Sequence, residues 1–378
     1  LTMAPCSFVV PLLLGLQCAN AARQHLLDKS GSLEGWMGKH FEALRERTLM
    51  QITLPGSHNS GNYEGGLSAE HLCASDSKYG DYRRAAEVAR SPPMTEDQFD
   101  EKMIPWNVNH LTPIAEQLRQ DGARYFHLKT CNMGTPKSST LDLADLRFQH
   151  RGYTTQETVA STLEEMKTFL AQQPKEVVVL AFSNLHSAAP GGFGEEDVVA
   201  LAAALVEELG EGALVRKEEL YNSTLGELIA AGRRFVVFMG GPSGAAGKLP
   251  RGIIPESQAL AEDWDDDAMA SGDLEKSRAW LVQDVKEQAV RHDRYYVMQA
   301  CPNNDEGLMY KGMISGEGTQ SNEAFLEPFL RGLGALASGA VAGAPGAQIN
   351  AVSTDFLGIS RPYDIAMRLN GLDGLELD

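Results

Sequence analysis

Short runs of apolar, mostly β-branched residues alternate with longer amphipathic stretches along most of the chain. This alternation is typical of parallel strands covered by helices. The apolar runs predict strands at Met50–Leu54, Arg124–Lys129, Arg147–His150, Glu176–Phe182, Arg233–Met239, Tyr295–Ala300 and Ile349–Phe356. The amphipathic stretches predict helices at Ile114–Gln120, Glu157–Gln172, Glu195–Leu209, Leu225–Ala231, Asp273–Arg291, Glu323–Leu336 and Pro362–Leu369. Strand–helix units in one uninterrupted span predict a single-domain α/β fold, an irregular TIM-like barrel.

Two segments interrupt this pattern. Residues 65–109 are long, polar and carry Pro92-Pro93, which indicates an excursion after the first strand that overhangs the active face. The Gly/Ala-rich stretch Gly332–Gly346 is predicted to be a helix end that runs into a loose linker.

Composition limits the possible partners. The chain has 378 residues, of which 43% are hydrophobic and 22% charged, so it can bury a large core. Its formal net charge of −18 argues against a nucleic-acid partner and against strong adsorption to an anionic membrane. Peripheral membrane contact would therefore need a local apolar or basic rim.

The first residues are typical of a targeting segment. An apolar run from Phe8 to Leu16 is too short to span a bilayer, and the small residues of Ala19-Asn20-Ala21 fit a signal-peptidase site. We therefore expect residues 1–21 to be a signal peptide and the protein to follow the secretory route. The glycosylation sequon at Asn222 agrees with this route.

Beyond the signal segment the chain has three cysteines, Cys73, Cys131 and Cys301. An odd number allows at most one internal disulfide together with a free thiol. The spacing contains no CxxC or Cys/His cluster, which argues against a structural zinc site.

Three motif-like features favour a plainer interpretation. The run Met239–Lys248 resembles a phosphate loop, but Pro242 and Leu249 stand where the motif needs other residues, so we predict a turn. The acidic run Asp263–Asp267 lacks the ligand spacing of a calcium loop and predicts a solvated surface. Ser315 is one place too late for the nucleophile elbow of a serine hydrolase.

The strongest chemical signal is Leu54-Pro-Gly-Ser-His58, an apolar strand that breaks at Pro-Gly and delivers a histidine at its carboxyl edge. In parallel barrels catalytic groups collect at that edge. Alone, such a histidine is structural about as often as catalytic. On the second predicted strand, period-two geometry sends Tyr125, His127 and Lys129 to one face, which places a cation near the barrel mouth.

Two more strand ends supply reactive groups. The third predicted strand ends in His150, and the seventh places Asp355 inside an otherwise apolar run, where a buried carboxylate needs a partner such as a histidine. Two histidines, a carboxylate and a cation suit phosphodiester cleavage. One imidazole removes a proton from the attacking hydroxyl, and the other protonates the departing oxygen.

The segments LPGSHNSG, IAEQLRQDGARYFHLKT, RFQHRG, FLAQQPKEVVVLAFSN and INAVSTDFLG, taken in this order, resemble the X domain of phosphatidylinositol-specific phospholipases C. The resemblance covers residues 34–370. It implies a distorted TIM barrel and a two-step mechanism in which the inositol 2-hydroxyl attacks phosphorus and a cyclic inositol phosphate forms. Phosphatidylinositol, a related phospholipid or an inositol phosphate is then the expected substrate.

The resemblance also implies residue roles. By motif position, His58 is similar to the general base, His150 to the general acid and Asp355 to the aspartate that orients the base. Lys129 takes the place of the cation, and Asn59 takes the polar position beside the first histidine.

Other positions depart from the family. Calcium-dependent members carry acidic residues where this chain has His127, Lys129 and Ser183, so we expect no metal and no cofactor. Metal-free bacterial members carry an arginine at the position of Lys129 and aspartates at the positions of His127 and Asn59. Ser183 replaces a charged residue that contacts inositol, and with His127 it is assigned here to substrate binding. The alternative hypothesis is a catalytically impaired member that binds phosphoinositol or lipid head groups.

Overall fold

Eleven strands organise the part of the chain that the structure describes. The computed structural model describes residues 33–73, 80–81, 83–84, 94–134, 141–189, 192–303 and 321–373. The strands of these ranges are β1 Leu54–Ser57, β2 Leu67–Ser68, β3 Tyr125–Asn132, β4 Leu146–His150, β5 Tyr153–Thr158, β6 Val178–Ser187, β7 Phe235–Met239, β8 Ile253–Pro255, β9 Leu260–Ala261, β10 Tyr295–Ala300 and β11 Ala351–Thr354.

Eight of these strands run parallel around a barrel, in the spatial order β8-β7-β6-β3-β1-β11-β10-β9. Within the described chain β8 and β9 do not pair, and the short helix Glu256–Ala259 connects them. The barrel is therefore open at one seam. This confirms the irregular TIM-like barrel predicted from the alternating pattern.

Helices follow most strands and cover the outside of the sheet. The α-helices of the described ranges are Trp36–Lys39, Phe41–Leu44, Glu96–Asn107, Ile114–Arg119, Val159–Gln172, Glu195–Leu209, Lys217–Asn222, Leu225–Ala230, Glu256–Ala259, Asp266–Met269, Leu274–Gln288, Asn322–Ala342, Leu357–Ser360 and Pro362–Leu369. Short 3₁₀ turns lie at Leu33–Gly35, Leu49–Gln51, Glu211–Ala213 and Ser243–Ala245. Among the residues described, no helix combines the length and the apolar character that crossing a membrane requires.

The period-two pattern of the strands divides the core into layers. Tyr125, Val179 and Val236 belong to the cluster inside the barrel, whereas the neighbouring residues Phe126 and Leu180 pack against the outer helices. The inner face of β3 continues from Tyr125 to His127 and Lys129, as the alternation predicted. The barrel interior thus has an apolar floor and polar groups at the carboxyl ends of its strands.

The first strand is displaced from its predicted position. Residues 49–51 form a 3₁₀ turn, and β1 runs through Leu54-Pro55-Gly56-Ser57 rather than ending before the proline. Gly56 permits this because a Cβ atom there would lie 2.8 Å from the carbonyl oxygen of Val352 on β11. The strand therefore continues to the residue immediately before His58.

The third predicted strand is also corrected. β4 pairs antiparallel with the second half of β3 instead of joining the parallel barrel, and β5 and β2 extend this antiparallel side sheet. The eight-residue length of β3 explains the arrangement, since its first half pairs with β1 and its second half with β4. His150 consequently reaches the site from the side sheet.

The Gly/Ala-rich stretch is not a linker. Helix Asn322–Ala342 continues through most of it, because alanine has the highest helix propensity and the glycines are interspersed. The predicted helix end at Leu336 was therefore wrong.

The excursion after β1 is fastened to the side sheet. β2 pairs with β5, and Cys73 forms a disulfide with Cys131 of β3, with an S–S distance of 1.97 Å. Cys301 is buried and free, which matches the expected pattern of one bridge and one thiol. The signal segment 1–21 and Ser315 lie outside the described residues.

Candidate active site

A tight turn presents His58 at the carboxyl end of β1. Its amide donates to the carbonyl of Thr354 at 3.0 Å, and the amide of Ser60 donates to the carbonyl of His127 at 2.9 Å. Asn59 between them has φ 46°, a left-handed conformation that asparagine tolerates better than most residues. The turn is thus fixed to β11 on one side and to β3 on the other.

A buried polar network supports the same turn from below. Nε2 of His110 lies 2.7 Å from the carbonyl oxygen of His58 and 3.0 Å from Oγ of Ser57. Gln117 accepts a hydrogen bond from Ser57 at 2.6 Å and donates to the carbonyl of Ser60 at 2.9 Å. Because these groups are buried, their mutual bonds restrict the turn to one conformation.

His58 is oriented by a carboxylate. Its Nδ1 lies 2.8 Å from Oδ1 of Asp355, and both residues are buried. A carboxylate accepts, so Nδ1 carries the hydrogen and Nε2 is left with its lone pair. Burial, and then the charge of Lys129, lower the pKa of His58 well below its usual range. The neutral ring has the protonation state of a general base.

Asp355 lies one residue beyond β11 rather than inside the strand as predicted. Burial raises the pKa of this carboxyl to about 7, while His110 and then the side chain of Asn109 act in the opposite direction. Its Oδ1 is bound to His58, whereas its Oδ2 has no hydrogen-bond partner among the described residues.

His150 ends β4 and faces the same cavity. Its Nδ1 lies 3.1 Å from the carbonyl oxygen of Asn107, the last residue of helix Glu96–Asn107. The carbonyl can only accept, so Nδ1 of His150 is a donor and Nε2 remains for a ligand. Burial, the charge of Arg151 and that of Lys129 lower the pKa of His150 well below its usual range.

His127 and Ser183 form a pair across β3 and β6. Nε2 of His127 lies 2.5 Å from Oγ of Ser183, and the amide of Asn59 donates to Nδ1 of His127 at 3.3 Å. In the neutral ring the hydrogen is therefore on Nε2 and is donated to Ser183. This tautomer leaves the serine hydroxyl as a donor toward the cavity and prevents His127 from deprotonating it.

The rings of His127 and His58 are stacked, with centroids 5.1 Å apart and planes 9° from parallel. Trp264 is also nearly parallel to His58, at 6.3 Å and 17°. Burial, His58 and Lys129 lower the pKa of His127. The general-base candidate is thus held by aromatic contacts as well as by its carboxylate.

Most of the predicted site residues line one cavity of about 1000 Å³. Its lining includes six of them, namely His58, Asn59, His127, Lys129, His150 and Ser183. Asp355 is the seventh and lies behind His58, where it contacts the ring rather than the cavity. The amide oxygen and nitrogen of the Asn59 side chain have no hydrogen-bond partner among the described residues.

Several functional neighbours were not predicted. Arg151 and Trp264 line the cavity, and Asn107 orients His150. Arg151 follows His150 directly in the sequence, and this adjacency is the sequence signal that could have identified Arg151 as a cavity residue. Trp264 lies in the acidic run, whose aspartates are exposed as predicted, and its Nε1 donates to Asp266 at 3.1 Å.

Glu262 adds a carboxylate to the cavity wall. Oε2 of Glu262 accepts from the hydroxyl of Tyr125 at 2.9 Å and from Nε2 of Gln299 at 3.0 Å. Burial, and then the nearby charge of Glu256, raise the pKa of Glu262 to about 7. Within the described part of the chain no three His, Cys, Asp or Glu side chains are grouped as metal ligands would be.

The phosphate-loop-like run forms a turn and a short 3₁₀ segment, Ser243–Ala245, beside this cavity. Its Lys248 lies 2.5 Å from Glu195, so the lysine forms an ion pair at the surface. The interpretation as a turn is confirmed.

The chain is similar in sequence to proteins named for an X domain. It is 24% identical over 190 residues to a PI-PLC X-box domain-containing protein of Dictyostelium discoideum, covering 50% of this chain and 21% of the relative. It is 27% identical over 210 residues to the human PI-PLC X domain-containing protein 1, covering 54% of this chain and 56% of that protein. The match thus spans about a fifth and about half of these relatives. No protein-family model matches the chain.

Solved structures share the fold. The phosphatidylinositol-specific phospholipase C of Listeria monocytogenes superposes with a TM-score of 0.52 at 12% identity, covering 89% of this chain and 98% of that one. The Staphylococcus aureus enzyme gives a TM-score of 0.53 at 15% identity, covering 89% and 97%. In sequence the chain is thus similar to proteins named for the PI-PLC X domain, and in fold it is similar to bacterial phosphatidylinositol-specific phospholipases C.

Proposed function

We propose that the protein is a phosphodiesterase of the phospholipase C type that cleaves phosphatidylinositol or a related phospholipid through a cyclic phosphate. One observation carries this proposal. His58 and His150 line one cavity, and each has its Nδ1 bound to an acceptor, so both Nε2 atoms are left for the same ligand. Paired imidazoles of this kind can supply the base and the acid of a phosphoryl transfer.

In the first step Nε2 of His58 takes the proton of the inositol 2-hydroxyl, and the hydroxyl oxygen forms a bond to phosphorus. The bond from phosphorus to the glyceryl oxygen breaks, and this oxygen receives the proton of His150. Diacylglycerol leaves, and the inositol phosphate remains as a five-membered cyclic diester. His58 is then protonated and His150 neutral, so hydrolysis of the ring by water uses the two residues with their roles reversed.

The other site residues assist this step. Lys129 offsets the charge that develops on the nonbridging oxygens, an effect commonly of a few kcal/mol. Asp355 fixes the tautomer of His58 and stabilises its imidazolium. Ser183 and Asn59 offer a hydroxyl and an amide as hydrogen-bonding partners of the substrate.

We propose that this reaction needs no metal ion. A hard divalent cation prefers several carboxylate oxygens, and His127, Lys129 and Ser183 offer none. Lys129 supplies a fixed positive charge inside the cavity. We also propose a secretory route with peripheral membrane contact, since the disulfide between Cys73 and Cys131 is typical of oxidising compartments.

The alternative is a binding protein for phosphoinositol or lipid head groups. The low pKa of His150 favours it, because an acid that is neutral in the resting protein is not ready to protonate a leaving group. An anionic substrate beside the ring would reverse this effect, and turnover must therefore be measured directly.

The deciding experiment follows release of cyclic inositol phosphate from labelled phosphatidylinositol in the presence of EDTA. We expect product with the native chain, and a loss of about 100-fold or more with His58→Ala and with His150→Ala. His292→Ala is the matched control because this histidine is exposed and does not line the cavity. Equal product from the native chain and His58→Ala would remove the enzymatic proposal. Binding without turnover would establish the alternative.

A further inference from the structure

Arg151 occupies an unusual backbone position beside His150. It forms, with Gly152, the two-residue turn that joins β4 to β5, in which His150 pairs with Tyr153. Both turn residues have positive φ, 50° for Arg151 and 91° for Gly152. Such turns favour Asn, Asp or Gly, and another residue there costs roughly 1–2 kcal/mol. An arginine maintained in this conformation next to a reactive group indicates a function for its side chain.

The side chain of Arg151 belongs to the cavity. The residue is 7% exposed and lines the same space as His150 and Lys129. The charge of Arg151 acts on His150, the proposed acid. After burial it is the largest cause of the lowered pKa of His150, and Lys129 is the next. Two cations thus approach His150 from different elements, Lys129 from β3 and Arg151 from the β4–β5 turn.

The two cations have different chemistry. An ammonium group is a compact point charge, whereas a guanidinium is planar and can donate two parallel hydrogen bonds to two oxygens of a phosphate. A phosphodiester in the cavity carries two nonbridging oxygens, and negative charge accumulates on them during the attack. Lys129 alone cannot bind both oxygens in one planar arrangement.

We propose that Arg151 is a further catalytic residue of the phosphodiester cleavage proposed above, on which this inference rests. Its guanidinium binds the nonbridging phosphoryl oxygens together with Lys129, and so supplies from the β4–β5 turn the planar contact that the lysine of β3 lacks. The hairpin turn then carries two functional groups in succession, His150 for the leaving oxygen and Arg151 for the phosphoryl group.

This arrangement links substrate binding to the charge of His150. In the resting cavity the two cations disfavour the imidazolium. A bound phosphodiester places a negative charge against both cations, so the pKa of His150 rises when the substrate is in place. The acid is then protonated where it is needed.

The test compares kcat in Arg151→Gln, Arg151→Lys and the double variant Lys129→Arg/Arg151→Gln. We expect Arg151→Gln to lose about 100-fold to 1000-fold in kcat, the usual effect of removing one oxyanion donor. Arg151→Lys should lose less kcat than Arg151→Gln. The double variant should have a kcat about tenfold higher than that of Arg151→Gln, because it returns a guanidinium to the cavity. Arg361→Gln is the matched control, an exposed arginine with φ 52° that pairs with Asp364 at 2.5 Å. Its kcat should stay within about twofold of the native value.

A pH profile separates this role from a structural one. Loss of the Arg151 charge raises the pKa of His150, so the alkaline limb of kcat/KM should move to higher pH in Arg151→Gln but not in Arg361→Gln. If Arg151→Gln lowers the melting temperature, Arg151→Lys is used to test the role of Arg151 instead. A tenfold loss of kcat in Arg151→Lys at unchanged melting temperature supports the proposal, and an unchanged kcat in this variant overturns it.

Binding of inorganic phosphate, measured by calorimetry, distinguishes failure of this proposal from failure of the proposed function. If the native chain turns over and Arg151→Gln retains its full kcat, the role of Arg151 is wrong and the enzyme stands. If the native chain does not turn over but binds phosphate about tenfold more tightly than Arg151→Gln, the anion contact stands without catalysis. The contact between Arg151 and phosphate is rejected if the native chain and Arg151→Gln bind phosphate with equal affinity and, where the native chain turns over, have equal kcat.

Discussion

Nδ1 of His150 lies 3.1 Å from the main-chain carbonyl oxygen of Asn107. The carbonyl ends helix Glu96–Asn107, which belongs to the excursion that interrupts the barrel after β1. The segment that follows supplies Asn109, whose main-chain carbonyl accepts a hydrogen bond at 2.7 Å from the amide of Phe356, the residue after Asp355. The excursion therefore contacts both His150, the proposed acid, and the segment that carries Asp355, the partner of the proposed base.

The first prediction concerns pH. His58 must be neutral, so the rate rises with pH through its pKa, and His150 must be protonated, so the rate falls through its pKa. Both pKa values are lowered in the resting protein. We expect a bell-shaped kcat/KM profile whose two limbs report macroscopic constants of the histidine pair. The alkaline limb of kcat should lie at higher pH, because bound substrate raises the pKa of His150. A profile with a single rising limb would contradict the assignment.

The second prediction is that Asp355→Asn inactivates the protein but stabilises it. Asparagine can hold the wrong tautomer of His58, so kcat should fall by about 100-fold to 10,000-fold. The pKa of Asp355 is about 7 in the fold and about 3.9 in an unfolded chain. The stability that the protonated carboxyl contributes is therefore complete below about pH 4 and is lost as pH rises through about 7.

At pH 8 the native protein contains a buried charge that the variant lacks. Asp355→Asn should accordingly melt at a higher temperature at pH 8, and the difference should vanish near pH 4. Asp364→Asn, which removes an exposed partner of Arg361, serves as the control and should show neither effect. A variant that is less stable than the native chain at pH 8 contradicts the argument.

Sequence patterns predicted the barrel because burial imposes a period. Tyr295–Ala300 matches β10, and Glu195–Leu209 and Pro362–Leu369 match their helices. The errors arose where tertiary contacts overrode local signals. β1 passes through Pro55 and Gly56 because the close approach of β11 requires a residue without Cβ at position 56. No local pattern reveals such a neighbour.

The site was predictable to the extent that its residues end strands. His150 ends β4 and His58 directly follows β1, and Lys129, which lies within β3 although its strand was predicted to end there, reaches the same cavity. Asn107 acts through its main-chain carbonyl, which no side-chain pattern can identify. Trp264 lies in an acidic surface run, and its contact with His58 depends on the path of the chain after β9. These contributions are visible only in three dimensions.

The third prediction concerns Lys129→Met. Lys129 lowers the pKa of both His58 and His150, so its removal should move both limbs of the kcat/KM profile to higher pH. The lost charge should also reduce kcat by about 100-fold or more. Lys286→Met, an exposed lysine on helix Leu274–Gln288, is the matched control and should change neither quantity. A fall in kcat with unmoved limbs would mean that Lys129 acts far from the two imidazoles.

The fourth prediction tests how the disulfide supports the site. The bridge between Cys73 and Cys131 closes 58 residues of sequence, and the amide of Cys73 donates to the carbonyl of Gly152 at 2.8 Å, in the turn after His150. Cys73→Ala/Cys131→Ala should therefore lose about 2–4 kcal/mol of unfolding free energy in urea titrations. Its kcat should also fall, because the turn that carries His150 loses a fixed neighbour. Dithiothreitol should lower the melting temperature of the native chain and of Cys301→Ala, but not that of the double variant. If the double variant keeps native stability and kcat, the bridge is irrelevant to the position of His150.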